Sequence, residues 1–471
     1  MTRQRGAGGE ADSAPGRVAD AAYRRHVERL REHYLAMPPE APVRLAKSTS
    51  NLFRARTAID GRGLDVSAFE GVLCVDPGAQ TADVLGRTTY EHLVDATLRY
   101  SMVPLVVPEL RTITLGGAVS GLGIESSSFR NGLVHESVLE IEVLTGDGRI
   151  VLTRPEGEHS DLFHALPNSY GTLAYALRLK IELEPVRPYV RLRHLPFPDA
   201  DAFFAAVGEI AATRCWDGEA VDFMDGSVFG PGLHFLSLGV MVDSAPRTSN
   251  YTGQEIYYRS IPRRREDHLG VRDYLWRWDT DWFWCSGAFG VQRRHVRRLW
   301  PRRWRRSDVY WHIVALNRHY QLTARLDRLR GRAPREAVMQ DVEVPLERAA
   351  EFLRIFHAEV GMAPIWVCPL RLRKLRQPWT LYELDPDITY VNFGFWGLVE
   401  RRPGADENDR NRFIEQLVAA VGGRKALYST SFYGKDEFRQ LYGGEGYDAL
   451  KAKYDPGGRL PGLYEKCVRG S

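Results

Sequence analysis

A glycine-rich stretch, TLGGAVSGLGIESSS, constrains this chain most, because Gly116, Gly117, Gly121 and Gly123 fall close together in it. Backbone without a Cβ can approach a flat or anionic ligand closely, and its exposed N–H groups can hold a pyrophosphate. The spacing does not match G-x-G-x-x-G, and no strand and long helix flank it, which disfavours a Rossmann domain. A structural loop without a ligand fits the glycines equally well.

Short strands and turns surround the glycines and predict a domain of mixed secondary structure. EVLTGDGRIVLT has the alternation of two strands around a Gly-Asp-Gly turn, which predicts a hairpin. Short helical patterns such as TYEHLVDATLRY lie between the strands. We therefore expect an α+β cofactor-binding domain over residues 19–186, beginning with an amphipathic helix at 19–36, after a disordered tail at 1–18.

The rest of the chain predicts a second domain and a closing segment. HFLSLGVMV and TYVNFGFWGLV are typical of strands, and VPLERAAEFLRIFHAEV is typical of a helix packed on them. We expect a mixed-sheet substrate or cap domain at 187–400. Residues 401–471 are expected to form a helical segment that packs back near the cofactor. A length of 471 residues accommodates two such domains.

Composition excludes several classes of protein. The net charge of +4 gives no reason to expect nucleic acid as a partner, and only eight of the 64 basic residues are lysine, a bias typical of GC-rich coding. The five cysteines are scattered without a C-x-x-C pair, which argues against disulfides and a structural zinc site. Without a signal-like or membrane-spanning run, the expected location is cytoplasmic, with peripheral contact to the inner membrane face left open.

Three further motifs accompany the glycines in a characteristic order. KSTSN follows the strand-like VRLA at Lys47, HSDLFHALPNSYGTL lies downstream, and Tyr454-Asp455-Pro456 lies near the C-terminus. This order resembles the flavin domain of the vanillyl-alcohol oxidase and p-cresol methylhydroxylase superfamily. TLGGAVSGLGIESSS, QDVEVPLERAAEFL, PIWVCPLRL and YGKDEFRQLYGG further resemble the Δ24-sterol reductase (Diminuto/Dwarf1) branch. Within that branch, the chain is most similar to bacterial reductases of methyl-branched fatty acid synthesis, in YTGQEIYYRSI and RWDTDWFWC.

The resemblance implies an extended FAD held without a covalent bond, because the first loop contains neither the His nor the Cys that tethers flavin in relatives. Two segments would surround the pyrophosphate, and a third would lie near the adenine or the edge of the isoalloxazine ring. The residues implied are Lys47, Ser48, Thr49, Ser50, Asn51, Thr114, Leu115, Gly116, Gly117, Ser120, Gly121, Gly123, Ile124, Glu125, Ser126, Gly171, Thr172 and Leu173.

The implied reaction is reduction of an isolated carbon–carbon double bond, with NADPH as electron donor. The bacterial group reduces a 10-methylene acyl chain, left by a partner methyltransferase, to the 10-methyl chain of tuberculostearic type, so phospholipid acyl chains are the expected substrate. A Δ24-sterol substrate stays open, as do an alcohol or sugar oxidase or dehydrogenase on the same fold and a non-catalytic lipid-surface protein.

An isolated alkene has no carbonyl to accept electrons, so a proton must reach it from a positioned acid. The candidates are Glu125, beside the glycines, and the C-terminal Tyr428 and Tyr433, which match tyrosines of the family pattern. An ordinary packing role fits both tyrosines as well.

Tryptophan and arginine alternate through residues 271–311. Trp276, Trp278, Trp282 and Trp284 crowd one part, and eight arginines follow between Arg293 and Arg306. Interleaved cations and indoles are typical of a segment that lies on a membrane surface. A solvated basic surface above core tryptophans explains the same pattern.

Overall fold

The computed structural model describes residues 14–47, 53–54, 63–252, 255–280, 290–310, 312, 331, 333–373 and 377–469. Two antiparallel sheets organise these residues, one of six strands and one of eight. A parallel pair, Leu45–Ala46 with Leu64–Asp65, and a small hairpin, Cys215–Trp216 with Glu219–Ala220, lie apart from them. The two sheets correspond to the two predicted domains.

The six-stranded sheet belongs to the N-terminal domain and is centred on its longest strand, Ala174–Pro185. Alternate side chains of that strand are buried, as expected where one face of a strand covers a core. The strands run in the order Val72–Asp76, Thr81–Leu85, Ala174–Pro185, Val138–Thr145 and Ile150–Thr153, and Met102–Pro104 also pairs with the central strand. The last two strands of the series are the predicted hairpin, which is confirmed.

The eight-stranded sheet, called the large sheet below, belongs to the second domain. Its strands run in the order Glu266–Gly270, Tyr189–Phe197, Leu233–Val242, Phe223–Gly230, Ile365–Arg371, Thr389–Glu400, Arg335–Pro345 and Arg424–Lys425. HFLSLGVMV and TYVNFGFWGLV therefore form strands, as predicted.

The register of the large sheet separates its two faces. Phe393 lies opposite Val367 and Val342, whereas Asn392 lies opposite Cys368 and Glu343. Because side chains alternate along a strand, these two sets point in opposite directions. We call the face that carries Phe393 the outer face and the face that carries Asn392 the inner face.

Three helices cover the outer face with apolar side chains: Ala200–Thr213, Leu346–Glu359 and Asp409–Ala420. The inner face packs instead against the N-terminal domain, and Trp366, Cys368 and Trp396 share one continuous core with it. Both faces of the sheet are thus removed from water.

Other helices connect and flank the sheets. They are Ala14–Ala36, Tyr90–Thr97, Leu115–Ser120, Ser128–Asn131, Ser160–Ala165, Tyr257–Ser260, Val271–Leu275, Arg294–Leu299, Lys435–Leu441 and Gly444–Tyr454, with 3₁₀ turns at Leu98–Tyr100, Val134–Ser137 and Arg302–Trp304 and a π-turn at Glu465–Arg469. None of the helices described is both long enough and apolar enough to cross a membrane.

Two predicted boundaries differ from the structure. The first helix begins at Ala14 rather than residue 19, because Pro15 is tolerated in a first helical turn, and residues 1–13 lie outside the description. Residues 401–471 do not act as one helical segment. Asp409–Ala420 covers the outer face, and Arg424–Lys425 adds an edge strand to the large sheet. Among the described residues of this segment, those that share the core of the N-terminal domain all follow Lys425.

Candidate active site

The glycine-rich stretch begins with the short helix Leu115–Ser120. Thr114 caps this helix, because its hydroxyl accepts a hydrogen bond from the Gly117 N–H at 3.3 Å. A Cβ on Gly116 would lie 2.7 Å from a backbone oxygen of Gly86, and one on Gly123 would lie 2.5 Å from Val134. The chain's own packing therefore requires these two glycines.

Gly121 is also close-packed, because a Cβ there would meet the Tyr170 ring at 3.2 Å. Gly117 differs from the other three, since it is exposed at the start of the short helix. A Cβ on Gly117 would nevertheless lie 2.8 Å from Thr114 Oγ1, so packing within the chain constrains all four glycines. Their contact with a ligand stays a prediction.

Downstream of the glycines, the chain turns inward and buries Glu125 in an ion-pair cluster. The Arg277 guanidinium donates to Glu125 at 2.7 Å and to Asp225 at 3.0 Å. Trp278 and Trp366 donate indole N–H groups to the same Asp225 oxygen at 3.2 and 3.4 Å. The cluster fastens the glycine-rich stretch to the inner face of the large sheet.

Burial and the charge of Asp225 raise the pKa of Glu125, while the Arg277 guanidinium opposes the shift. Both carboxylate oxygens of Glu125 are already engaged, one by Arg277 and the other by the Ser126 backbone N–H at 2.9 Å. Glu125 is therefore tied into the cluster rather than presented to an open space.

A second buried acid, Glu109, lies beside this cluster and was not singled out from the sequence. The charges of Glu125, Asp225 and Asp341 act on its carboxyl, and that of Arg277 opposes them. Since Arg277 already serves Glu125 and Asp225, another ionised carboxylate there would be uncompensated. Burial first, and then the charge of Glu125, raise the pKa of Glu109 well above its ordinary value. Its surroundings therefore favour the protonated form of the Glu109 carboxyl.

The Oε1 atom of Glu109 is buried and forms no hydrogen bond within the described part of the chain. It follows the apolar run VPLVVP, and its neighbour Leu110 is buried too. An acid directly after an apolar run is the sequence feature that could have identified Glu109 as a buried acid. Burial, a raised pKa and an oxygen without a described hydrogen-bond partner are together what a proton donor requires.

The inner face carries a second group of acids. Burial raises the pKa of Asp341 to about 8, with Asn392 and Tyr428 beside it acting in the opposite direction. It also raises the pKa of Glu343 to about 8, although Tyr382 donates a short hydrogen bond to this carboxyl. The inner face therefore holds carboxyl groups in their neutral forms.

The structure separates the two predicted tyrosines. Tyr428 reaches the inner face, where its hydroxyl accepts a hydrogen bond from the Trp396 indole at 2.5 Å, and burial raises its pKa well above the ordinary value. Tyr433 packs instead against Phe438 and Tyr442, with ring centroids 6.5 and 5.9 Å away. Tyr428 is thus near the acids, whereas Tyr433 belongs to an aromatic packing cluster.

The remaining predicted cofactor residues fall into three situations. Lys47 is exposed at the end of the strand Leu45–Ala46, and Ser48 to Asn51 lie outside the described residues. Gly171 has a positive φ of 74° beside the Tyr175 ring. Thr172 and Leu173, in contrast, are fully buried.

Two of the accompanying motifs meet directly. The Tyr454 hydroxyl donates to Asp161 of the HSDLF segment at 2.7 Å, and Lys453 pairs with the same carboxylate at 2.6 Å. Asp455 accepts hydrogen bonds from the N–H groups of Arg459 and Leu460 at 2.8 and 2.9 Å. The C-terminal motif thus locks the end of the chain onto the N-terminal domain.

The described residues fit a flat, polar cofactor between the glycine-rich stretch and the inner face. Besides Glu109 Oε1, several polar atoms there are buried without a hydrogen-bond partner in the described ranges, among them Tyr170 Oη, Ser429 Oγ, Asp341 Oδ1 and the side-chain amide of Asn392. Buried polar atoms usually have partners, so these have bonding capacity left for a bound molecule. Exposed backbone at Gly117 adds a place that a bulky side chain would block.

Comparison with known proteins agrees with this geometry. Residues 32–154 match the family described as FAD binding domain. The chain is 26% identical to a Δ24-sterol reductase of Arabidopsis thaliana, over 86% of this chain and 76% of the relative. It is 27% identical to that of Homo sapiens, over 78% and 70% of the two chains. A cytokinin dehydrogenase 9 of Oryza sativa subsp. japonica is 29% identical over 40% of this chain and 36% of its own length.

The chain is accordingly an FAD-dependent oxidoreductase with a two-domain α+β fold, similar to the Δ24-sterol reductases.

Proposed function

We propose that this flavoenzyme uses NADPH to reduce an isolated carbon–carbon double bond in a lipid. The substrate we propose is the 10-methylene acyl chain of a phospholipid, which becomes the 10-methyl chain of tuberculostearic type. The names of the relatives, Δ24-sterol reductases, support reduction of an unactivated alkene. The observation that carries the proposal is the buried carboxyl of Glu109, whose Oε1 atom has no hydrogen-bond partner among the described residues.

An unactivated alkene must be protonated, because no neighbouring carbonyl can take up negative charge. Protonation of an exocyclic methylene leaves positive charge on a tertiary carbon, and the same logic applies to a sterol side chain. We propose that Glu109 supplies this proton, since burial and the charge of Glu125 raise its pKa well above the ordinary value and so favour its acid form. Reduced FAD, when bound, supplies the hydride that completes the reduction.

The ion-pair cluster would set the electrostatics of this step. Arg277 pairs with Glu125 and Asp225, and among the described residues no ion pair reaches Glu109. A positive carbon close to these carboxylates would be stabilised in a site from which water is excluded. Trp366 and Trp396 add aromatic surface on the inner face, which suits a cationic transition state.

For the cofactor, we propose non-covalent binding by residues 47–51, 114–126 and 171–173. Exposed backbone at Gly117 supports the second segment. In the third, the positive φ of Gly171 supports a tight turn. A fatty acid methyltransferase that forms the methylene group is the functional partner that the reaction would need.

A Δ24-sterol is the second candidate substrate, and the names of the first relatives favour it. One anaerobic experiment tests both. The yellow holoprotein is reduced with NADPH, mixed with either a 10-methylene acyl phospholipid or a Δ24-sterol, and the products are analysed by mass spectrometry. The proposal expects two added hydrogen atoms in the phospholipid. Addition to the sterol alone would replace the substrate, and bleaching by an alcohol with no alkene reduction would overturn the reaction class.

A further inference from the structure

Eight arginines in one short segment have different environments in the structure. We name residues 293–306 the arginine platform. No acidic residue occurs between Gly290 and Ser307, so the charge there is uniformly positive. In a chain with a net charge of only +4, this is a strong local concentration. The question is which of the arginines serve the fold.

Three arginines of the platform hold its frame. Arg297 is buried and donates to the backbone carbonyl of Glu255 at 3.0 Å. Arg305, also buried, donates to the carbonyl of Trp300 at 2.9 Å. Arg306 reaches the N-terminal domain and pairs with Glu91 at 2.8 Å. These side chains fix the platform in place and do not offer their charge to a partner.

The other five arginines are exposed, and none forms an ion pair with any residue that the structure describes. They are Arg293, Arg294, Arg298, Arg302 and Arg303. Their guanidinium groups are therefore accessible to an anion outside the molecule.

Apolar side chains protrude among these cations. Leu299 is 85% exposed at the end of its helix, and Trp304 is 45% exposed at the end of the following turn. The Trp304 ring stacks edge-on against Trp300, with centroids 5.9 Å apart, which holds it in one orientation. An exposed leucine and an exposed indole among exposed arginines match the requirements of a lipid interface, where the apolar groups enter below the headgroups.

We infer that the arginine platform is a docking surface for anionic phospholipid bilayers. The positive charge fits an anionic headgroup layer, and the exposed Leu299 distinguishes a bilayer from a nucleic acid, which offers no apolar phase for an aliphatic side chain. Trp276 and Trp278 do not belong to this surface, because both are buried core residues. Trp282 and Trp284 lie outside the described residues.

The platform is also connected to the candidate active site, so docking would bring lipid towards the acid. Arg306 and Arg111 share the carboxylate of Glu91. Ser307 and Arg111 likewise share Asp279, with Ser307 donating at 2.6 Å. Arg111 is two residues from Glu109 in the chain. This part of the inference rests on the proposed lipid substrate, whereas the docking itself does not.

The test is flotation of the holoprotein with vesicles of phosphatidylglycerol and phosphatidylcholine, compared with phosphatidylcholine alone. Tight binding to the anionic vesicles that weakens at high salt is expected. Replacing Arg294, Arg298, Arg302 and Arg303 by Ser should weaken it by roughly 100-fold or more, since each arginine near an anionic surface contributes about fivefold. Flavin absorbance should be unchanged.

The first helix provides a matched control. Arg24, Arg25, Arg29 and Arg31 are exposed there, and replacing them by Ser removes the same charge elsewhere. This control should change vesicle binding by less than about threefold. Equal losses in the two quadruple variants, or unchanged binding in both, would overturn the inference.

The leucine contribution is tested in the same way. Leu299→Ser should weaken binding to anionic vesicles by about tenfold, whereas Leu35→Ser, at a leucine that is 70% exposed, should not. Tighter binding of the holoprotein to duplex DNA than to the vesicles, insensitive to Leu299→Ser, would assign the platform to nucleic acid and refute the inference. Because binding is measured without turnover, a failed reductase assay leaves this result intact, and the converse also holds.

Discussion

The outer and inner faces of the large sheet belong to the same strands but have opposite chemistry. On the outer face, Val342, Val367 and Phe393 pack under three helices. The neighbouring residue in each strand, Glu343, Cys368 or Asn392, lies on the inner face. The difference shows how one sheet combines stability with reactivity: apolar packing on one side holds the strands, so the other side can keep carboxyl groups away from water.

The largest expected effect tests the outer face. Phe393 is fully buried and stacks on Phe352 and Phe204, with centroids 4.8 and 5.8 Å away. Phe393→Ala should lower the free energy of unfolding by about 3–5 kcal/mol through lost burial and a cavity. Denaturant titration measures the loss. The flavin spectrum and the rate of its reoxidation by substrate should stay as in the wild type, and a selective loss of reactivity would break the distinction between the faces.

Glu109→Gln tests the inner side of the comparison. Glutamine keeps the shape but cannot donate the proton, so reoxidation of the reduced flavin by the alkene should slow by roughly a thousandfold. Stopped-flow absorbance measures this step, and reduction by NADPH should change little. Glu266→Gln, at an exposed acid on the edge strand of the same sheet, serves as the control. A Glu109→Gln enzyme with a normal rate would remove Glu109 from the proposed chemistry.

Asp341→Asn tests the inner face through the pH dependence of the free energy of unfolding. The pKa of Asp341 is raised to about 8 in the folded chain, so the folded state holds a proton that the unfolded state releases above about pH 4. Its contribution to stability is complete at low pH and is lost as pH rises towards 8. Asparagine cannot ionise. Between pH 5 and 8, the free energy of unfolding of the variant should therefore fall by up to about 3 kcal/mol less than that of the wild type.

Denaturant titrations at several pH values measure this difference. Identical pH profiles for the wild type and Asp341→Asn would mean that the carboxyl is ionised in the folded protein. The inner face would then not be the dry surface that we describe.

The smallest expected effect concerns Tyr428. Its hydroxyl accepts a hydrogen bond from Trp396, so Tyr428→Phe should cost about 1 kcal/mol of stability. The rate of alkene reduction should fall by less than about threefold, because this account assigns the proton to Glu109. A loss comparable to that of Glu109→Gln would transfer the donor role to Tyr428.

The sequence predicted those parts of the molecule that local patterns determine. The hairpin Val138–Thr145 with Ile150–Thr153 and the helix Leu346–Glu359 follow from alternation and helical spacing. Motif order identified the cofactor domain, which the match over residues 32–154 supports. These features depend on residues close together in the chain and can therefore be predicted from one sequence.

The acid cluster depends on tertiary contacts and was not predicted as a unit. Glu125, Asp225 and Arg277 come from three distant parts of the chain and meet only when the domains pack. The raised pKa of Glu109 follows from that meeting and from burial. Trp276 and Trp278 show the same limit, since composition alone does not distinguish a core tryptophan from an interfacial one.

The most direct test of the central claim is a single turnover without oxygen. Flavin in the holoprotein is reduced chemically and mixed with 10-methylene acyl phospholipid, and the return of its visible absorbance is followed. Full reoxidation is expected, with one molecule of 10-methyl product per flavin. A reduced flavin that stays bleached with the alkene, while the oxidised flavin is bleached by an alcohol, would contradict it.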